Sequence, residues 1–286
     1  MSRARATFTF IRHGESTDNV RSVWAGWADA TLSNHGMNQA QAVAASLAGT
    51  QFTAIHSSPS KRAYMTAEEI HKQQFGVPQS ALTTSLLLRE QHFGVAEGKS
   101  LTGKRDPDLP LVEHFNKGIY PSSLSRSERF PEGESLDDVQ VRATRAWADI
   151  LLPYVRQAAR EGTDSIHIAV ISHGVFIKEA LRALAKYDRA ADISVCDCRW
   201  LRNTAWARVV VGLKDFKEDE EPILPQGTLP PLQVHLTSFN QCEHLATVKR
   251  QKGGTGREAY DPRQKDIRGF FGGMSRKPAS RSSRPI

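Results

Sequence analysis

A three-layer α/β/α sandwich is the fold this sequence predicts, with a mostly parallel sheet and a site at the sheet's carboxyl edge. Short apolar or alternating runs read as strands, and segments of helical length separate them. One run, Ile166-His-Ile-Ala-Val-Ile171, is β-branched enough to be a buried central strand. Strands joined through helices need crossover connections, which is how parallel sheets are wired.

Taken in order, Thr7-Phe-Thr-Phe-Ile11 alternates polar and apolar residues and reads as the first strand. A helix is expected over residues 33–47, with Ser33 as N-cap, Ala and Gln filling its interior, and Gly49 just past its end. Phe52-Thr-Ala-Ile-His56 reads as the second strand, closed by Ser57-Ser58-Pro59. Ser60 then starts a helix over residues 61–75, which Gly76 and Pro78 stop. Residues 98–133, rich in Gly, Pro, Ser and charge, read as an excursion over the surface. Residues 136–159 read as one helix bent near Pro153, which has no backbone donor. The central strand follows, then a helix over 175–185 and a late strand over 208–211. After Lys217 the rhythm is lost among Pro222, Pro225, Pro230 and Pro231. The expected organisation is a domain over 1–216, an extension over 217–250, and a basic, disordered tail over 251–286.

The formal charge of +7 on 286 residues looks like a nucleic-acid signal until it is mapped. Residues 243–286 hold eleven Lys or Arg against four Asp or Glu, and the first 242 hold 27 of each sign. The body is therefore neutral. The tail lacks regularly interleaved aromatics, so nucleic acid is not an expected partner. No apolar run approaches the ~20 residues that span a bilayer, so no membrane is expected either. The basic N-terminus lacks the apolar block of a secretory signal. Three cysteines, Cys196, Cys198 and Cys242, do not make a disulfide framework and fit a reducing compartment, the cytoplasm with the nucleus also open. Cys196-x-Cys198 has no second pair to complete a metal site.

The chemistry is carried by Arg12-His13-Gly14-Glu15-Ser16, directly after the first strand, and Ser172-His173-Gly174, directly after the central one. In doubly wound sheets ligands gather at the carboxyl ends of strands, so two strands ending in His-Gly aim two imidazoles at one crevice. Each Gly lets the backbone come close. Arg62, at the start of a helix after another strand, joins Arg12 as a second planar fork for an oxyanion, with amides at the helix starts as further donors. Phosphoryl transfer needs such positioning and charge stabilisation, and imidazole accepts a phosphoryl group covalently near neutral pH. Glu90 is the candidate acid for the leaving oxygen, and Glu97, seven residues on, is the alternative. Asn203 or Thr204 can reach the pocket, and His92 can touch substrate. The five tryptophans read as packing.

These motifs, with Asn19, Gly26-Trp27-x-Asp29, Leu32-Ser33-x-x-Gly36, Ser58-Pro-x-x-Arg62-Ala, Leu-x-Glu90-x-x-Phe-Gly and Pro131-x-Gly-Glu-Ser135, resemble the histidine phosphatase superfamily in order and spacing over residues 7–211. The likeness is to the branch that includes cofactor-dependent phosphoglycerate mutase and fructose-2,6-bisphosphatase. It implies a phosphoglycerate mutase-like fold, a small phosphorylated substrate and no cofactor. It also implies His13 as the phosphorylated residue, Glu90 as proton donor, His173, Arg12 and Arg62 around the phosphate, and Asn19 and Gly26 as further substrate-binding residues. Mutases of the family place Tyr-Gly after the acid and an Arg-Arg pair in the following insertion. Here Phe93 stands first, and Lys104-Arg105 is the nearest substitute. The expected activity is therefore hydrolysis of phosphomonoesters of small metabolites such as sugar phosphates or bisphosphates. The alternatives are a mutase and a catalytically reduced phosphate-binding protein with a basic docking tail.

Overall fold

The computed structural model describes residues 4–74, 81–122, 124–188, 201–214, 229–252 and 254–263. Strands β1 (Ala6–Arg12), β2 (Ala54–Ser57), β3 (Ala81–Thr84), β4 (His167–Ser172), β5 (Trp206–Leu213) and β6 (Leu232–Gln241) form one sheet in the order β3-β2-β4-β1-β5-β6. The first four strands in that order run parallel, and β5 and β6 are antiparallel additions at one edge. The mixed but mostly parallel sheet expected from the sequence is present.

Alternation along the strands builds the layers. Phe8, Phe10, Ile168 and Val170 pack beneath α5 (Leu136–Ala146), α6 (Leu152–Glu161) and α7 (Gly174–Ala185), around Trp147. Ile11, Ile55, Ala169 and Ile171 face α2 (Asn34–Ser46) and α3 (Lys61–Lys72) on the other side. β4 is covered on both faces, which is why its sequence is nearly all apolar. Two short helices, α1 (Thr17–Arg21) and α4 (Leu111–Asn116), lie in the connections.

Local chemistry explains the helix ends. The Ser33 hydroxyl accepts the Gly36 amide and caps α2, as its sequence predicts. Ser60 makes no side-chain cap on α3; Asp29 Oδ1 instead accepts the Lys61 amide at 2.7 Å. The expected single helix over 136–159 is two helices joined by a π turn, Trp147–Leu151. Pro153 follows that turn and cannot bond back to Asp149, so the wider turn lets the ring pass without breaking the run. The stop at Gly76 and Pro78 and the Cys196-Cys198 pair fall outside the described residues.

The extension beyond residue 216 is not set apart from the domain. β6 pairs with β5 from Leu213↔Leu232 to Trp206↔Gln241. The chain then returns to α2. The Asn34 amide bonds Glu258 O at 2.9 Å, Asn34 Nδ2 bonds Thr255 O at 2.8 Å, and the Tyr260 amide bonds Leu32 O at 2.9 Å. Tyr260 packs on Leu32, Met37 and Ala40. The stretch 254–263 of the tail expected to be disordered is therefore docked on the domain. No helix among the described residues is long and apolar enough to cross a membrane.

Ending the chain after Gln241 should cost several such hydrogen bonds at about 1 kcal/mol each, and lower the melting midpoint by about 5 °C or more. Scanning calorimetry on the truncation beside the full chain would establish this.

Candidate active site

The site follows from strand register. Arg12 lies opposite Ser172 in the β1–β4 ladder, and Ser57 lies opposite Ile171 in the β2–β4 ladder. The next residues, His13, His173 and Ser58, therefore leave three adjacent strands at nearly one level. The rings of His13 and His173 stand 5.0 Å apart between centroids, tilted by 61°. His173 Nε2 is 2.9 Å from Ser58 Oγ.

His13 is 3% exposed, and its Nδ1 lies 2.6 Å from the carbonyl oxygen of Gly14. A carbonyl only accepts, so Nδ1 carries the proton and Nε2 of the neutral ring is left with its lone pair. Burial first, then the charges of Arg62 and Arg12, push the His13 ring well below the usual histidine range, against the smaller pull of the Gly14 bond. Burial, Arg62, His13 and Arg12 do the same to His173.

Arg62 is buried and Arg12 half-buried, and both are partly bonded to backbone. Arg12 Nη1 donates to Leu201 O at 2.6 Å. Arg62 Nη1 donates to Ala28 O at 2.8 Å and Nη2 to Gly26 O at 2.7 Å. Burial disfavours both charges, and on each the largest influence working against it is Glu90. Arg12 Nε, Arg62 Nε and His173 Nδ1 are buried with no partner among the described residues. Buried polar nitrogens are rarely left so, and three at one place mark a position where an oxyanion would be satisfied.

Glu90 reaches this cluster from an irregular stretch. Its Oε1 accepts the Phe176 amide at 3.1 Å and its Oε2 the Val175 amide at 3.3 Å, at the start of α7. That differs from the expectation that helix-start amides serve as phosphate donors: Glu90 takes those of α7, and Asp29 takes that of Lys61 on α3. Glu97, the alternative acid, has its Oε1 2.7 Å from the Trp27 amide and 3.2 Å from that of Phe93. Gly26 holds Arg62 through its carbonyl, and at φ +49° a Cβ there would come within 2.0 Å of Glu97 Oε1. Gly14 is needed sterically, since a Cβ would stand 2.5 Å from Gly36 O, but at Gly174 the nearest atom would be Arg12 Nε at 3.7 Å.

Asn19 Oδ1 caps the Ser16 amide at 3.1 Å and accepts from Asn203 Nδ2 at 3.2 Å. Asn203 also donates to the carbonyl of His13 at 3.0 Å, whereas Thr204 turns to His244. The pairing of Ser58 with His173 is not foreseen from sequence, although Ser58 stands in the same motif as Arg62. A cavity of about 450 Å³ beside Arg12 is walled by His35, Gln39, Asn203, Leu245 and Val248, and it includes none of His13, Arg62, Glu90 or His173.

At pH 6, where an ordinary histidine is mostly charged, ring-nitrogen NMR should find His13 and His173 neutral, with the His13 proton on Nδ1. Titration of His13 at or above 6.5 would contradict a buried ring beside two guanidinium groups.

Comparison with known proteins gives consistent relatives. The model of the histidine phosphatase superfamily (branch 1) matches residues 8–211. A probable phosphatase of Schizosaccharomyces pombe is 30% identical over 270 residues, spanning 93% of this chain and 80% of that protein. A 2,3-bisphosphoglycerate-dependent phosphoglycerate mutase of Latilactobacillus sakei is 27% identical over 206 residues, spanning 65% of this chain and 83% of the mutase. Among solved structures, a mycobacterial glucosyl-3-phosphoglycerate phosphatase superposes with a TM-score of 0.59 at 23% identity, over 82% of this chain and 99% of that one, a likeness of fold.

Proposed function

We propose that this chain, which belongs to branch 1 of the histidine phosphatase superfamily, hydrolyses phosphomonoesters of small metabolites through a phosphohistidine on His13. The observation that carries this reading is the buried, neutral His13 ring, its Nδ1 proton fixed on Gly14 O, beside three unpartnered nitrogens of Arg12, Arg62 and His173. The phosphoryl oxygens sit between the two guanidinium groups, which carry the developing charge. The Nε2 lone pair attacks phosphorus, the ester P–O bond breaks, and Glu90, whose carboxylate takes up a proton when the anionic ester binds beside it, gives that proton to the leaving oxygen. Water then attacks the phosphohistidine, passing a proton to the Glu90 carboxylate as the P–N bond breaks. Phosphate leaves and the neutral ring returns.

Hydrolysis is preferred to transfer between hydroxyls because of the 98–131 excursion. Arg105 is bound through Nη1 and Nη2 to the two oxygens of Glu128, each at 2.9 Å, and holds that carboxyl down at about 2. It is thereby engaged where a mutase needs a cation for a glycerate carboxylate. Phe93 is buried against Trp24 and Phe130 and presents no hydroxyl. The relative matched over most of the chain is named a probable phosphatase. The mutase reading rests on Gly26-Trp27-x-Asp29 and on the mutase relatives.

With a panel of sugar phosphates and phosphoglycerates, the wild type should release inorganic phosphate at the same rate with or without EDTA, because the charge work falls to arginine. His13→Ala should lose about four orders of magnitude or more in kcat. Phosphate moved between glycerate positions faster than any ester is hydrolysed would select the mutase reading. Glu90→Gln should lose about a hundredfold on alkyl esters; a loss in Glu97→Gln without one in Glu90→Gln would move the acid to Glu97.

A further inference from the structure

Residues 89–93, which carry Glu90, belong to no helix or strand. A carboxyl that must meet one oxygen of a bound ester needs its backbone held by something else. At Glu90 itself two side chains supply that hold. Arg142 of α5 uses all five of its N–H donors. Nε and Nη2 donate to the two oxygens of Glu134 at 2.9 and 2.7 Å, Nη1 donates to Leu87 O at 3.0 Å and Arg89 O at 2.7 Å, and Nη2 also donates to Glu90 O at 2.9 Å. Trp27 Nε1 donates to the same Glu90 carbonyl at 2.9 Å. Both lone pairs of that oxygen are thus engaged.

Trp27 is itself fixed by the neighbours of Glu90. The Arg89 guanidinium carbon stands 3.4 Å from the indole centroid, and the His92 ring stacks on the indole at 4.3 Å and 22°. The residues on either side of Trp27, Gly26 and Ala28, give their carbonyls to Arg62. One three-residue loop therefore grips the phosphate-facing arginine with its backbone and the acid-bearing segment with its indole.

We infer that Trp27 and Arg142 are positioning residues, which set the Glu90 carboxyl at a fixed offset from the phosphate held by Arg62. The inference rests on Glu90 as proton donor, and it makes a demand that packing alone does not. A misplaced acid slows departure of an alkoxide, which needs the proton, far more than departure of p-nitrophenolate, which is stable as an anion.

The test compares kcat and KM for glycerol phosphate and p-nitrophenyl phosphate in Trp27→Phe, which keeps the stack and loses the N–H, and in Arg142→Lys, which keeps the charge and cannot span its five acceptors. On glycerol phosphate kcat/KM, which reports formation of the phosphohistidine and not its common hydrolysis, should fall roughly tenfold or more, with inhibition by inorganic phosphate unchanged within about twofold, and on p-nitrophenyl phosphate kcat/KM should fall less than about threefold. Trp27→Phe/Glu90→Gln should be no slower on glycerol phosphate than Glu90→Gln alone, because the indole acts through the carboxyl. Equal losses on both esters, no loss, or a further loss in the double variant would overturn the inference while Glu90→Gln still discriminates between the esters. If Glu90→Gln itself treats both esters alike, the proton-donor reading fails and takes the inference with it. Should Arg142→Lys not fold, Trp27→Phe decides alone.

Discussion

Two guanidinium groups set into one end of the sheet, Arg62 wholly out of water and Arg12 half-buried, dictate much of what surrounds them. A buried charge is tolerated only where its donors and its field are answered. Arg62, with no exposure, is answered by the carbonyls of Gly26 and Ala28, and Arg12 by that of Leu201. Glu90 answers both through its charge. Burial, and after it the same positive field, pushes His13 and His173 toward the neutral form. A neutral imidazole has a lone pair to give and an imidazolium has none, so the groups suited to hold an oxyanion are also the groups that prepare a ring to attack it.

The constraint reaches outward through the backbone. The 26–28 loop faces Arg62 with its carbonyls, which turns its amides the other way, and Glu97 Oε1 accepts that of Trp27. Glu97 fits there because Gly26 has no Cβ. The motif Gly26-Trp27-x-Asp29 thus has a physical content at each position: room for a carboxylate, an indole donor toward Glu90, and a carboxylate on the first amide of α3.

How much of this is legible in the sequence differs by element. β1, β4 and α2 are carried by local signals, namely alternation, a β-branched run and a serine cap, and they stand close to where those signals put them. The adjacency of His13 and His173 is legible too, since each follows a strand directly. β3 is four residues of mostly exposed Ala-Leu-Thr-Thr, with no pattern beyond its pairing with β2. β6 did carry a signal: Leu232-Gln-Val-His-Leu236 alternates, but the prolines before it mask it. The bend near Pro153 is legible, but its form, a π turn over Trp147–Leu151 with the Trp147 indole bonding Ala180 O across the layer, is not. Glu90 is placed by donors on α7 and α5, far off in sequence, so no local pattern could show its arrival.

Long-range closure also explains the C-terminal segment, whose composition reads as a solvated tail. Arg250 pairs with both oxygens of Glu15, two residues from His13, and Ser33 donates to the same carboxylate. Burial pushes the Glu15 carboxyl up, but those bonds hold it below its usual range. His244 meets the hydroxyl of Thr204, whose amide bonds the carbonyls of Arg12 and His13. The segment therefore touches the His13 turn at two removes, once through Glu15 and once through Thr204. The family match ends at residue 211, whereas the Schizosaccharomyces relative aligns over 93% of the chain. A basic residue count says where charge lies along a chain; only the fold says which of those charges has a carboxylate waiting for it, and at Arg250 that carboxylate belongs to the His13 turn.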